Sequence, residues 1–297
     1  ALHTRRRAAE RICRGWPSLD TDRWNMLSNE LVSRLSEQSR TALLERPGAG
    51  KHTPGRTAAM PTELPHGLEV ETARGVLWRI DAPVAELWPE QERWLAALAK
   101  RPAPVVTDAS DETHAEIAAL RDALPDRILL LHLETSESQV FLAGVLHTHK
   151  GLPIVTQLLA RSPSEEPAVL AALDEIIADK RVLITFNGKS GDWPVVQDRR
   201  LQHKLGREPW SRDLVHCDLM HHARRRWKDR LPNCKLQTLE QYICGRHRGD
   251  DITGRDIPQA YQDYLRTRDV AELRSVLDHN SLDLITLWQL ALWMAHA

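Results

Sequence analysis

The sequence predicts an α/β protein, a mixed sheet flanked by helices, on three observations. A run of four apolar residues, Ile128-Leu129-Leu130-Leu131, ends in His132-Leu133-Glu134-Thr135 and reads as a buried central strand. Two further strand-like segments follow at 139–147 and 154–160, separated by a short polar turn. A helix with one apolar stripe then precedes another apolar run at 182–186, and strands, a helix and again a strand are the order of a mixed sheet.

At 297 residues the chain is long enough for one large domain, or for one domain with a smaller appended unit. No apolar run approaches the roughly 18 residues of a membrane span, so no membrane partner is expected. The polar, Arg-rich start (Arg5, Arg6, Arg7) lacks the apolar core of a secretory signal, which makes a cytoplasmic location the expectation. Cys13, Cys217, Cys234 and Cys244 form no C-x-x-C pair, which argues against a disulfide framework and a zinc ribbon. Net charge is -1, so affinity for nucleic acid has to come from a local patch. Residues 199–248 supply one, with thirteen Lys and Arg against five Asp and Glu.

Taken in order, residues 1–48 read as a partly amphipathic helical arm, and the Gly- and Pro-rich stretch to about Pro61 as a linker. Period-two alternation around Ala73-Arg74-Gly75 predicts a β-hairpin over 67–80, a helix follows near 89–100, and Val105-Val106 reads as a short strand. Residues 1–125 are therefore assigned to an N-terminal extension, with the hairpin as a small accessory unit, and 126–297 to the main domain. In that domain Ser162 to Pro167 reads as a helix start with a capping serine, an acidic first turn and an early proline.

Three segments carry chemistry. Alternation along a strand puts His132 and Glu134 on one face, about 7 Å apart. Asn187-Gly188-Lys189-Ser190-Gly191-Asp192 is a strand end, a glycine-rich turn and a helix start, with Asp192 available to cap the helix, to bind an ion, or both; Asn187 and Lys189 suit either a phosphate or the turn itself. His279 and Asp283, four apart on the last helix, point from one side. Between these segments, Arg224, Arg225, Arg226, Lys228 and Arg230 are spaced to hold a phosphate backbone, while Trp227 reads more readily as a core anchor than as a base-stacking platform. His216, Cys217, His221, His222 and Cys234 match no common zinc spacing.

The order of these segments resembles the DEDD superfamily of 3'-5' exonucleases, which has a ribonuclease-H-like fold. More narrowly, it resembles a bacterial branch of predicted exonucleases with Asn-Gly-x-x-x-Asp and His-Asn-x-x-Asp motifs. The run His221-x-Ala223-Arg224-Arg225-x-Trp227-Lys228-x-Arg230-Leu231 is similar to that branch as well. The resemblance implies a carboxylate cage of Glu134, Asp192 and Asp283 for Mg2+ or Mn2+, His279 as the group that activates water, and single-stranded DNA or RNA as partner, with Asn187, Lys189, Asn280 and the arginine segment contacting it. This chain departs from the family at His132, which stands where the pattern has a metal-bridging aspartate. An imidazole offers one lone pair and no negative charge, so it suits Mn2+ or Zn2+ better than a pair of Mg2+ ions. Three expectations follow: a one-metal or Mn2+-preferring nuclease; a nuclease in which Glu137 substitutes for the missing acid; or a catalytically inactive nucleic-acid-binding adaptor or scaffold.

Overall fold

A computed structural model of the chain describes residues 63–99, 111–210, 212–249 and 251–296. The expected N-terminal arm, the Gly- and Pro-rich linker and the strand at Val105-Val106 lie outside the described residues. Seven strands form one sheet in the order β1-β2-β5-β4-β3-β6-β7. These are β1 (Leu68–Thr72), β2 (Gly75–Pro83), β3 (Ile128–Ser136), β4 (Gln139–His149), β5 (Leu152–Leu159), β6 (Val182–Thr185) and β7 (Val215–Asp218). The first five pair antiparallel, whereas β6 and β7 join β3 in parallel. The hairpin foreseen at 67–80 forms around the turn that joins Thr72 to Gly75, but it does not stand apart: β2 pairs with β5 from Trp78 to Pro83 and extends the main sheet by two strands.

The helices are α1 (Val84–Leu87), α2 (Gln91–Ala99), α3 (Asp111–Ala123), α4 (Glu166–Ile177), α5 (Asp192–Gln202), α6 (Leu219–Trp227), α7 (Leu236–Leu239), α8 (Ile257–Thr267) and α9 (Ala271–His296). No helix among the described residues is long and apolar enough to cross a membrane. Strand alternation sorts the core. Ile128 and Leu130 face α9, whose Leu284, Ile285 and Trp288 are buried against them, while Leu129, Leu131 and Leu133 face α4 through Ala168, Val169 and Leu173. His132 and Glu134 share the parity of Leu130 and so continue the α9 face. A third cluster packs α8 on the start of α9 and the start of β4, with Tyr261 stacked on Phe141 at 4.0 Å.

The helix start after Ser162 differs from the sequence reading. Ser162 Oγ pairs with Ser164 Oγ at 2.8 Å and caps no helix, because a 3-10 turn over Pro163–Glu165 intervenes before α4. The arginine helix is shorter than its charge pattern suggested. It ends at Trp227, so Lys228 and Arg230 fall beyond the last turn. Arg226 is a correction to the expected phosphate contacts: its guanidinium lies 4.5 Å over the Trp293 ring, and burial together with Arg230 and Arg121 pushes its pKa down to about 10. Trp227 is buried against Trp293, as the core-anchor reading expected. Arg224 and Lys228 are exposed.

Candidate metal centre

The centre forms where the polar end of β3 meets the middle of α9. His132 Nε2 lies 3.3 Å from Glu134 Oε1 and 3.1 Å from Asp283 Oδ2. His279 Nε2 stands 3.6 Å from the same Asp283 oxygen. One ligand atom from each of His132, Glu134 and His279 falls within 4.8 Å of the others. Two kinds of local restraint aim these side chains. Alternation along β3 aims His132 and Glu134 at α9, and a register shift between Glu134 and Thr135 ends the regular pairing just past them. The helical repeat brings His279 and Asp283 to one side of α9.

Asp192 approaches from the opposite layer. It is the first residue of α5 after Gly191, and its Oδ1 accepts from the Leu133 backbone N–H at 3.1 Å. Its carboxylate is thus tied to the strand between His132 and Glu134, and capping α5 is not its role. Burial raises the Asp192 pKa, partly offset by His132 and the Leu133 N–H. Burial also disfavours a charged His132, but Glu134 and Asp283 outweigh it and hold that imidazole well above its ordinary value. For Asp283 the same burial is overcome by His132, Arg248 and His279, which keep its pKa well below the usual carboxylate range.

Several supporting residues carried no sequence signal. Asp251 Oδ2 meets His279 Nδ1 at 2.9 Å, and Arg248 Nη1 donates to the same oxygen at 3.0 Å. With Nδ1–H spent on Asp251, a neutral His279 turns the lone pair of Nε2 toward the centre. Arg248 also bonds Asp283 Oδ1, and Glu240 at 2.6 Å. Glu240 opens a π-helical turn over Glu240–Cys244, an irregularity that often marks functional positions. Arg248 therefore occupies one face of Asp283 that a second cation would need.

Asn280 corrects an expectation. The resemblance implies that it contacts nucleic acid, yet it is fully buried. Its amide Nδ2 donates to His132 O at 3.2 Å and to Glu134 Oε1 at 3.3 Å, and its Oδ1 accepts from Gln157 Nε2 at 3.3 Å. The side chain orients the cage and has no surface to offer a strand. Gly144, paired with His132 in the ladder, makes room for it: a Cβ there would sit 1.9 Å from Asn280 Oδ1. A glycine in a strand interior is the kind of signal that marks close approach.

The backbones of Asn187 and Lys189 are committed to the turn. Their backbone N–H groups donate to the two oxygens of Asp218 at 2.8 and 3.0 Å, and Lys189 Nζ bonds Glu116 at 2.7 Å. Glu137 is exposed in the β3–β4 turn, where it and Ser138 both have positive φ, as a two-residue hairpin of this hand requires. There it cannot replace the missing acid, because the turn points it to solvent.

Over 159 residues the chain is 33% identical to the uncharacterized protein YprB of Bacillus subtilis (strain 168). That match covers 52% of this chain and 37% of the relative, so the chain spans little more than a third of that protein's length. A family model described as RNase_H superfamily matches residues 131–295, which contain every cage residue named above. The chain belongs to the RNase_H superfamily.

Proposed function

We propose that residues 126–297, with the hairpin as an extension of their sheet, form a metal-dependent 3'-5' exonuclease-type phosphodiesterase. It acts on single-stranded nucleic-acid ends and works with one softer ion, Mn2+ before Mg2+. The observation that carries this reading is the convergence of His132, Glu134 and His279 within 4.8 Å, with Asp283 in contact with both histidines. An imidazole ligand, His132, among the acids favours a borderline ion over a hard one. A cation held by His132, Glu134 and Asp283, with Asp192 alongside, would offset the charge of the phosphodiester as it is attacked. His279 Nε2, its partner nitrogen bound to Asp251, accepts the proton of the attacking water. Asn280 holds Glu134, and Asp192 takes its position from the Leu133 N–H. Arg224, Arg225, Lys228 and Arg230 contribute positive charge for the backbone of the strand.

One observation favours a second reading, a nucleic-acid-binding module without catalysis. His132 and Arg248 already neutralise Asp283, so protein cations occupy part of the space a metal pair would take. A labelled single-stranded oligonucleotide incubated with Mn2+, Mg2+ or EDTA separates the two. Shortening from the 3' end with Mn2+, its loss in EDTA and its loss in Asp283→Ala are expected. Retention of the strand without shortening in every metal would leave only the binding module.

A further inference from the structure

A second set of ligand-type side chains lies away from the cage, where β7 passes into α6. Cys217 is the third residue of β7 and fully buried. His222 lies in the first turn and a half of α6 and is buried too. Asp218, the residue between strand and helix, caps α6 through the Met220 N–H at 3.1 Å, which fixes the path of the chain and puts Cys217 and His222 on the same side. Glu116 comes from the middle of α3, more than a hundred positions earlier. His222 Nε2 lies 2.7 Å from Glu116 Oε2 and 3.7 Å from Cys217 Sγ, and one ligand atom of each residue falls within 4.8 Å of the others.

A single imidazole nitrogen cannot serve both neighbours as a hydrogen-bonding group. If Nε2 carries a proton it serves Glu116, and the thiol is left at a distance of weak contact; if it carries a lone pair it opposes the carboxylate. A cation resolves the conflict, since thiolate, imidazole and carboxylate all direct electron pairs to one point. We propose that Glu116, Cys217 and His222 bind a zinc-class divalent ion. Nitrogen and oxygen ligands of tetrahedral zinc lie about 3.4 Å apart and nitrogen and sulfur about 3.6 Å, so the histidine and cysteine are already spaced for it and Glu116 has to withdraw by about 0.7 Å. On binding, the thiol proton and the proton between His222 and Glu116 leave to solvent. Lys189 remains on the other oxygen of Glu116. The ion would then brace the turn of 187–191, which leads into Asp192, against α3. The spacing that excluded zinc in sequence did so because Glu116 is invisible to any local motif.

Cobalt(II) titration of the full chain tests the site without reference to nuclease activity. The cage holds no sulfur, so a thiolate-to-cobalt charge-transfer band in the near ultraviolet excludes the cage, and the cysteine variants assign it to this cluster. Titrated Co2+ is expected to give the band, Zn2+ to bleach it, and Cys217→Ser to abolish it. Glu116→Gln and His222→Gln, which leave the buried thiol in place, are expected to weaken binding by at least about a hundredfold, more than the loss of a ligand's supporting partner. Cys234→Ser is expected to leave the band unchanged. Absence of the band in the parent protein, or its persistence in both Glu116→Gln and His222→Gln, would overturn the proposal and leave a hydrogen-bonded ion pair only.

Discussion

Two buried glutamates on opposite faces of one sheet have different fates. Glu166, on the α4 face, has no exposure, and both of its oxygens are used. Oε1 accepts from the Val140 N–H at 2.8 Å and from Arg199 Nε at 2.7 Å, while Oε2 is bonded by Arg199 and by His203 at 2.8 Å. Glu134, on the α9 face, gathers its contacts on Oε1, from Asn280 and His132, each at 3.3 Å. Burying a carboxylate is costly unless strong donors surround it. Glu166 is matched by a guanidinium and serves the fold. Glu134 is held at longer distance among other acids and histidines, an arrangement that leaves it able to take a cation.

The largest expected effect tests the α9 side of that contrast. Glu134→Gln keeps the shape and the Asn280 contact but removes a charge from the cage. Metal-dependent oligonucleotide shortening is expected to fall by about a thousandfold, the upper range for losing one electrostatic element of a site. Its unfolding free energy is expected to change by less than about 1 kcal/mol. Glu166→Gln is the mirror experiment. Breaking a buried, fully bonded ion pair is expected to cost about 4 kcal/mol in chemical denaturation, with unchanged activity per folded molecule. The pH dependence has a definite sign. Burial alone would raise the Glu166 pKa, but Arg199, His203 and the Val140 N–H lower it. Its contribution to stability is therefore complete above the unfolded value of about 4.3 and is lost as pH falls through the lower folded value. If the two variants exchanged phenotypes, the contrast between a structural and a functional acid would be wrong.

A third expectation uses a histidine of neither site. His147 is buried on β4 and bonds Thr156 Oγ1 at 3.1 Å, and the Thr156 hydroxyl in turn donates to Asp81 at 2.6 Å. Burial, with Lys180 and Arg79 nearby, pushes its pKa down to about 4. The unfolded chain then takes up a proton first, so stability falls from about pH 6.5 to about pH 4 and levels off below. Two and a half pH units correspond to about 3 kcal/mol. His147→Gln is expected to flatten this part of the stability profile by that amount, measured by urea unfolding at several pH values.

What the sequence disclosed follows from how far each interaction reaches. Apolar runs and alternation located β3, β4, β5 and β6 and put His132 with Glu134, because a strand's two faces are set by the backbone. Helical spacing paired His279 with Asp283 for the same reason. Glu116, Glu240, Arg248 and Asp251 gave no sign of their roles, since each acts on a residue brought near only by the tertiary fold. The motif around Asn280 does not show which way its side chain points, and only the packing of α9 on β3 and β4 turns it inward. Arg226 looked like its neighbours in a run of cations, but the helix turns it onto Trp293.

The smallest expected effect is a gain, and it sharpens the question of what the cage lacks. His132→Asp replaces a group able to carry a proton, placed between Glu134 and Asp283, with a carboxylate that offers two oxygens and no proton. If ligand type is the only obstacle to a hard ion, Mg2+ affinity is expected to rise by about tenfold, and the preference for Mn2+ to narrow with it. Isothermal titration with each metal checks this, with shortening of the oligonucleotide measured alongside. No gain with Mg2+ would locate the obstacle in Arg248, whose guanidinium would still bond Asp283 whatever stands at position 132. The double variant His132→Asp with Arg248→Gln then separates the two, because it removes the competing cation from Asp283 while the new carboxylate stays in place. A gain only in the double variant would mean that a protein cation, and not the missing acid, sets the metal preference of this site.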